Sequence, residues 1–150
     1  MGVLYVVATP IGNLEDITLR AIRTLREVSL IACEDTRKTK LLLKTYSVKT
    51  PVTSYHEHNE RAKLQHVLRC LEDGNIALVS EAGMPGISDP GYKLISSALA
   101  QGNEIVPIPG PSAILTALVV SGLPVHQFIY IGFLPRRQGM RKRLLVSLAG

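Results

Sequence analysis

The sequence predicts an α/β domain: a mostly parallel five-stranded sheet with helices on both faces. Three observations carry that expectation. Short apolar runs alternate with longer segments of helical period, which is the pattern of strands joined by crossover helices. The runs are apolar throughout rather than every second residue, as strands buried on both faces are. With 46% apolar and 19% charged residues, the 150-residue chain suits one hydrophobic core and excludes a disordered segment.

The elements follow in order. Residues 3–8 (VLYVVA) read as a central strand ending in the tight loop Thr9–Asn13 (TPIGN). Asp16 is placed to cap a first helix with Ile17, Ala21, Leu25 and Val28 on its apolar face. Residues 30–33 (LIAC) form a second strand, followed by a basic helix over about 36–44. Asn59 caps a helix that presents Leu64, Val67, Leu68 and Leu71 and closes at Gly74. Residues 76–79 (IALV) give a third strand, 92–100 a helix ended by Gly102, and 105–108 (IVPI) a fourth strand. Ser112 caps an apolar helix through Val120, and 128–131 (FIYI) is the expected fifth strand. Residues 134–139 (LPRRQG) read as a linker, and a new amphipathic helix begins at Arg141 and runs to Ala149. The expected organisation is an N-terminal α/β domain over 1–134, with 135–150 forming a linker and the start of a second domain.

Charge is sorted along this chain. The net +5 comes from seventeen basic and twelve acidic residues, and its whole excess sits in Arg136, Arg137, Arg141, Lys142 and Arg143. Residues 20–69 hold eleven basic and five acidic side chains, whereas 70–135 hold one and five. Cys33 and Cys70 lie in apolar stretches without metal or redox spacing, so they read as buried thiols of a reducing compartment. No apolar run reaches the roughly 18 residues of a membrane span. The first residues lack the pattern of a signal peptide, and the expected location is the cytoplasm.

In an open parallel sheet, ligands bind beyond the carboxyl ends of the strands. Three loops there are unusual. Thr9–Asn13 lacks both the G-x-G-x-x-G fingerprint and a Walker lysine, which argues against a nucleotide phosphate. Ser80–Gly91 (SEAGMPGISDPG) packs three glycines and two prolines into twelve residues, a stiff backbone that a ligand can approach closely. Pro107–Ala113 (PIPGPSA) puts small residues and a hydroxyl at a helix start, where free N–H groups wait.

Residues 7–14 (VATPIGNL), 34–37 (EDTR), 56–60 (HEHNE), 80–91 and 109–113 (PGPSA) together resemble one family across nearly the whole chain. It is the bacterial small-subunit ribosomal RNA (cytidine) ribose 2′-O-methyltransferases, within the tetrapyrrole methylase superfamily. The chain departs from the family loop at two places, carrying Glu81 where aspartate is usual and Met84 where threonine is usual. The resemblance implies S-adenosyl-L-methionine as cofactor, a homodimer, and a cleft shared with a second α/β domain. The implied cofactor-binding positions are Pro10, then Glu81, Ala82, Gly83, Met84, Pro85, Gly86 and Ile87, then Ser112 and Ala113.

Transfer of a sulfonium methyl to a ribose hydroxyl needs alignment and a base that removes the hydroxyl proton. Asp35, Glu34, His56 and Glu57 are the candidates, although Asp35 also suits a helix cap. His56 and His58 lack a third ligand at metal spacing, so no metal is expected. The implied partner is small-subunit ribosomal RNA or the ribosomal particle. Arg37, Lys38, Lys40, Lys44, His58, Asn59 and Arg61, with Lys63 nearby, are the candidate RNA-binding residues. Tyr46 and Tyr55 are candidates to stack on bases. Two alternatives stay open: a tetrapyrrole-precursor methyltransferase and a non-catalytic RNA-binding module.

Overall fold

The computed structural model describes residues 1–148, so Ala149 of the expected last helix lies outside the described residues. Five strands, β1 (Val3–Val7), β2 (Leu30–Cys33), β3 (Val52–Ser54), β4 (Ile76–Val79) and β5 (Glu104–Ile108), form one sheet in the order β3-β2-β4-β1-β5. Every pairing is parallel. The helices are α1 (Leu19–Glu27), α2 (Thr36–Thr45), α3 (Glu60–Asp73), α4 (Tyr92–Ala100), α5 (Ala113–Val120) and α6 (Gln138–Leu148).

The strand order fixes where the helices go. The connections through α1 and α2 step toward the β3 edge, and those through α3 and α4 step back toward β5. Right-handed crossovers therefore place α1 and α2 on one face and α3 and α4 on the other. The core is split accordingly. Ala21 and Leu25 of α1 and Leu42 and Leu43 of α2 pack on Ile31, Ala77 and Val79. On the opposite face Val67, Leu68 and Leu71 of α3 and Leu94 and Ala98 of α4 pack on Leu4, Ile76 and Leu78. Successive residues of β4 feed opposite faces, as the pleat requires.

Several expectations are corrected. The fifth strand is Val52–Ser54, whereas 128–131 is irregular and exposed. Asp16 does not cap α1: it ends a short 3-10 turn over Leu14–Asp16, and Thr18 Oγ1 accepts the Ala21 N–H at 3.0 Å instead. Gly74 ends α3 in extended backbone rather than a left-handed turn. Cys33 is fully buried, but Cys70 is only half-buried. The caps by Asp35 and Ser112 form as expected.

α5 departs from the other sheet-flanking helices. Its sequence is AILTALVV, yet none of its residues is buried. Leu123, Phe128, Ile129 and Phe133 beyond it are exposed as well. Pro107, lacking an N–H, sits in β5, an edge strand whose one partner is β1.

Candidate active site

β1 and β4 are neighbours whose connections leave toward opposite faces, so a crevice opens between their carboxyl ends. The two loops there are joined: Thr9 and Gly83 exchange both backbone bonds, each at 2.9 Å. Thr9 Oγ1 also donates to the Ser80 carbonyl at 3.2 Å. Gly83 holds a φ of +76°, a left-handed conformation that a side chain would strain. The bridge therefore depends on a glycine at this position.

A cavity of about 320 Å³ lies beside this bridge. Ala82, Gly83, Met84 and Ile87 come from the β4–α4 loop, Ser112 and Ala113 from the start of α5, and Ile11 from the first loop. Ser112 Oγ accepts the Leu115 N–H, which leaves other N–H groups of that first turn free at the cavity rim. The rest of the expected cofactor set lies elsewhere. Pro10 and Glu81 line a neighbouring hollow of about 200 Å³, where Glu81 pairs with Lys38 of α2. Pro85 is buried, and Gly86 takes a left-handed turn.

Sequence reasoning missed six lining residues: Ile11, Ser88, Asp89, Ile114, Tyr130 and Phe133. Ser88 has φ +59°, unusual for a residue with a side chain, and its hydroxyl contacts the Tyr130 hydroxyl. Ser88 and Asp89 also line a second hollow of about 350 Å³, together with Glu57, Glu60, Tyr92 and Lys93. Asp89 thus lines both spaces. The only signal in the sequence was its membership of the Gly/Pro-rich loop.

The candidate bases differ in electrostatics. Asp35 accepts the Arg37 N–H at 2.7 Å and the Lys38 N–H at 3.4 Å and meets the Arg37 guanidinium at 3.3 Å. The Arg37 backbone bond, then its side chain, hold this carboxyl below the usual range. A carboxylate so held is a weak proton acceptor. Burial raises Glu34 first, and the like charges of Glu81 and Asp89 add to it. Burial likewise raises Asp89, ahead of the opposing Ser80 hydroxyl and the like charge of Glu81.

The 56–60 loop is organised around Asn59. Its Oδ1 accepts the His56 N–H at 2.8 Å, so the other end must be the amide nitrogen, which reaches Ser54 Oγ at 3.1 Å and His56 Nε2 at 3.1 Å. Nε2 then accepts, and neutral His56 carries its proton on Nδ1, a buried atom without a partner among the described residues. The Asn59 side chain is thus taken up by its own loop, while Glu57, His58 and Arg61 are exposed. His58 lies with its ring 6.0 Å from that of His56. Among the described residues no three His, Cys, Asp or Glu side chains converge as metal ligands do.

Neither tyrosine is free to stack on a base. Tyr55 is 1% exposed within the α3/α4 core. Tyr46 packs on the opposite core and donates its hydroxyl to the Leu14 carbonyl at 2.6 Å. Among the described residues no helix is long and apolar enough to cross a membrane.

The chain is 55% identical over 145 residues to a protein of Halalkalibacterium halodurans named ribosomal RNA small subunit methyltransferase I. That match covers 96% of this chain and 50% of the relative. A protein of the same name from Thermotoga maritima is 52% identical over 149 residues, covering 99% of this chain and 67% of its own length. The chain therefore spans between half and two thirds of these relatives. Among solved structures, a uroporphyrin-III-C-methyltransferase of Thermus thermophilus superposes with a TM-score of 0.59 at 20% identity, over 85% of this chain and 55% of that one, and shares the fold. The family model for tetrapyrrole (corrin/porphyrin) methylases matches residues 3–149, and the chain belongs to that family.

Proposed function

We propose that this chain supplies one wall of the active site of an S-adenosyl-L-methionine-dependent enzyme that methylates the 2′-hydroxyl of a cytidine ribose in small-subunit ribosomal RNA. The cavity at the β1/β4 crevice carries the reading. It combines apolar walls (Ile11, Met84, Ile87) with the free N–H groups of the first turn of α5 and has no phosphate-binding lysine, which suits a small amphiphilic ligand. Ala82, Gly83, Met84, Ile87, Ser112 and Ala113 would hold that cofactor. When bound, it supplies an electrophilic methyl group on a sulfonium.

The adjoining hollow suits the acceptor. Glu57 and Asp89 offer oxygens to ribose hydroxyls and to an exocyclic amine, while Glu60 is taken up by Lys93. The names of the relatives count against a tetrapyrrole precursor. Asp89, lining both spaces and with its proton affinity raised, is the group placed to take the hydroxyl proton. The names of the relatives support ribosomal RNA as substrate, and the sorted positive charge over 20–69 supports a nucleic-acid backbone beside the site.

Residues 1–134 are read as the cofactor-binding unit and 135–150 as the lead into further polypeptide, in keeping with the greater length of the relatives. The exposed apolar surface of α5 and 123–134 is then the side closed by that polypeptide and by a second subunit of a homodimer in the cytoplasm. The test is methyl transfer by the full-length protein to small ribosomal particles, with the modified nucleotide mapped. Asp89→Asn is expected to keep cofactor affinity, measured by calorimetry, and to slow transfer about 10²–10⁴-fold. A rate near that of the unmodified protein removes Asp89 from the chemistry; an unmodified protein without transfer removes the reading.

A further inference from the structure

The cations of α2 and of the turn that follows it fall into two groups. Arg37 is paired with Asp35 and Lys38 with Glu81, so both are engaged within the protein. Among the described residues, Lys40, Lys44 and Lys49 belong to no ion pair. These three line one hollow of about 500 Å³ with Ser47 and Thr50, over an apolar floor that includes Val48. No carboxylate and no aromatic side chain lines it.

The hollow is built by the end of the helix. Lys40 and Lys44 lie one turn apart on α2 and so share a face. The chain then reverses at Ser47, held with φ +53°, and the Val48 N–H donates to the Leu43 carbonyl at 2.8 Å. Thr50 Oγ1 donates to the Leu25 carbonyl at 2.6 Å, which anchors the returning strand against α1. Lys49 is thereby brought back beside Lys44. The carbonyl end of the helix offsets part of the repulsion among the three ammonium groups, because its dipole favours cations there.

Resting on the RNA reading above, we propose that this hollow is a phosphodiester-backbone site that grips the ribosomal RNA away from the reacting nucleotide. Three unpaired cations without an acid suit phosphates, and the lack of an aromatic platform makes the grip independent of base sequence. α2 has ten residues and spans about 15 Å, so its far end holds RNA while its near end sits among the acids beside the cavity. The strand is held at one end of the helix and enters the acceptor hollow at the other.

The experiment uses full-length protein and small ribosomal particles, with retention measured across a range of salt. For Lys44→Gln/Lys49→Gln the slope of log affinity against log salt is expected to shrink by roughly 1.4–1.8, the value for two lost phosphate contacts. Calorimetry with S-adenosyl-L-methionine and the melting temperature are expected to match the unmodified protein, and the transfer defect to appear as a raised KM for the particle. An unchanged slope and affinity, in a protein whose unmodified form binds particles, overturns the groove alone. Failure of the unmodified protein to bind particles overturns the RNA reading and the groove with it.

Discussion

Tyr55 shows how far a single residue can depart from what its chemistry suggests on paper. A tyrosine beside a charged loop reads as a stacking platform, but the ring follows Ser54 out of β3 into the core under α3 and α4. Its hydroxyl is buried without a partner among the described residues, and burial, with Glu60 adding to it, pushes the phenol up to about 12. An unpartnered buried hydroxyl costs stability. Tyr55→Phe is therefore expected to raise the unfolding free energy by about 1 kcal/mol in urea titration. The native phenol titrates above its unfolded value, so its stability contribution is whole below pH 10.0 and is lost as pH climbs toward about 12. The phenylalanine variant should lack that alkaline loss; a destabilised variant would mean that the hydroxyl has found a partner. Asp89 and Glu81 give the matching lesson for the site. The loop 80–91 was legible as a ligand loop, yet which of its acids faces the cavity was not. Lys38, remote in sequence, draws Glu81 toward α2, and the left-handed turns at Gly86 and Ser88 set the course of the backbone that carries Asp89.

At the level of elements, apolar runs identified four of the five strands: β1, β2 and β4 lie inside the sheet, and β5, at its edge, is still an apolar run in its own sequence. β3 escaped notice. It is three half-buried residues, VTS, preceded by Pro51, and its pairing with β2 rather than its own hydrophobicity makes it a strand. The converse error at 128–131 has the same origin: FIYI is apolar for contact with something other than the sheet, and the sequence does not say with what. The cap of α1 turns on local detail: Asp16 is taken into the 3-10 turn, and Thr18, two residues on, caps the helix instead. One junction between elements is tight enough to test. Gly2 donates its N–H to the Leu71 carbonyl at 2.7 Å, and a Cβ built on it would lie 2.1 Å from the Gly74 carbonyl oxygen. Gly2→Ala must push β1 away from the end of α3, and a loss of about 1–3 kcal/mol is expected in chemical denaturation. Full tolerance of the alanine would mean that this end of the sheet is looser than the packing indicates.

For the whole molecule, the decisive feature is an apolar flank without a cover. Val119 is 78% exposed and Phe133 86%, and a surface of that kind binds another surface. Residues 1–150 produced alone are expected to bind a hydrophobic dye, to self-associate in sedimentation, and to take up S-adenosyl-L-methionine weakly or not at all. Val119→Lys with Leu123→Lys should reduce the self-association without lowering the melting temperature. Methyl transfer by residues 1–150 alone would refute a cleft built from two parts. The pair of bonds between Thr9 and Gly83 decides which side of that cleft can yield. It ties together two loops whose chains depart to opposite faces of the sheet, so the floor of the crevice resists being pried apart like a stitched seam. On the proposed two-part cleft, ligand traffic is then expected to pass along the flank of α5 and residues 123–134, and the rate of product release to depend on what docks there rather than on the sheet.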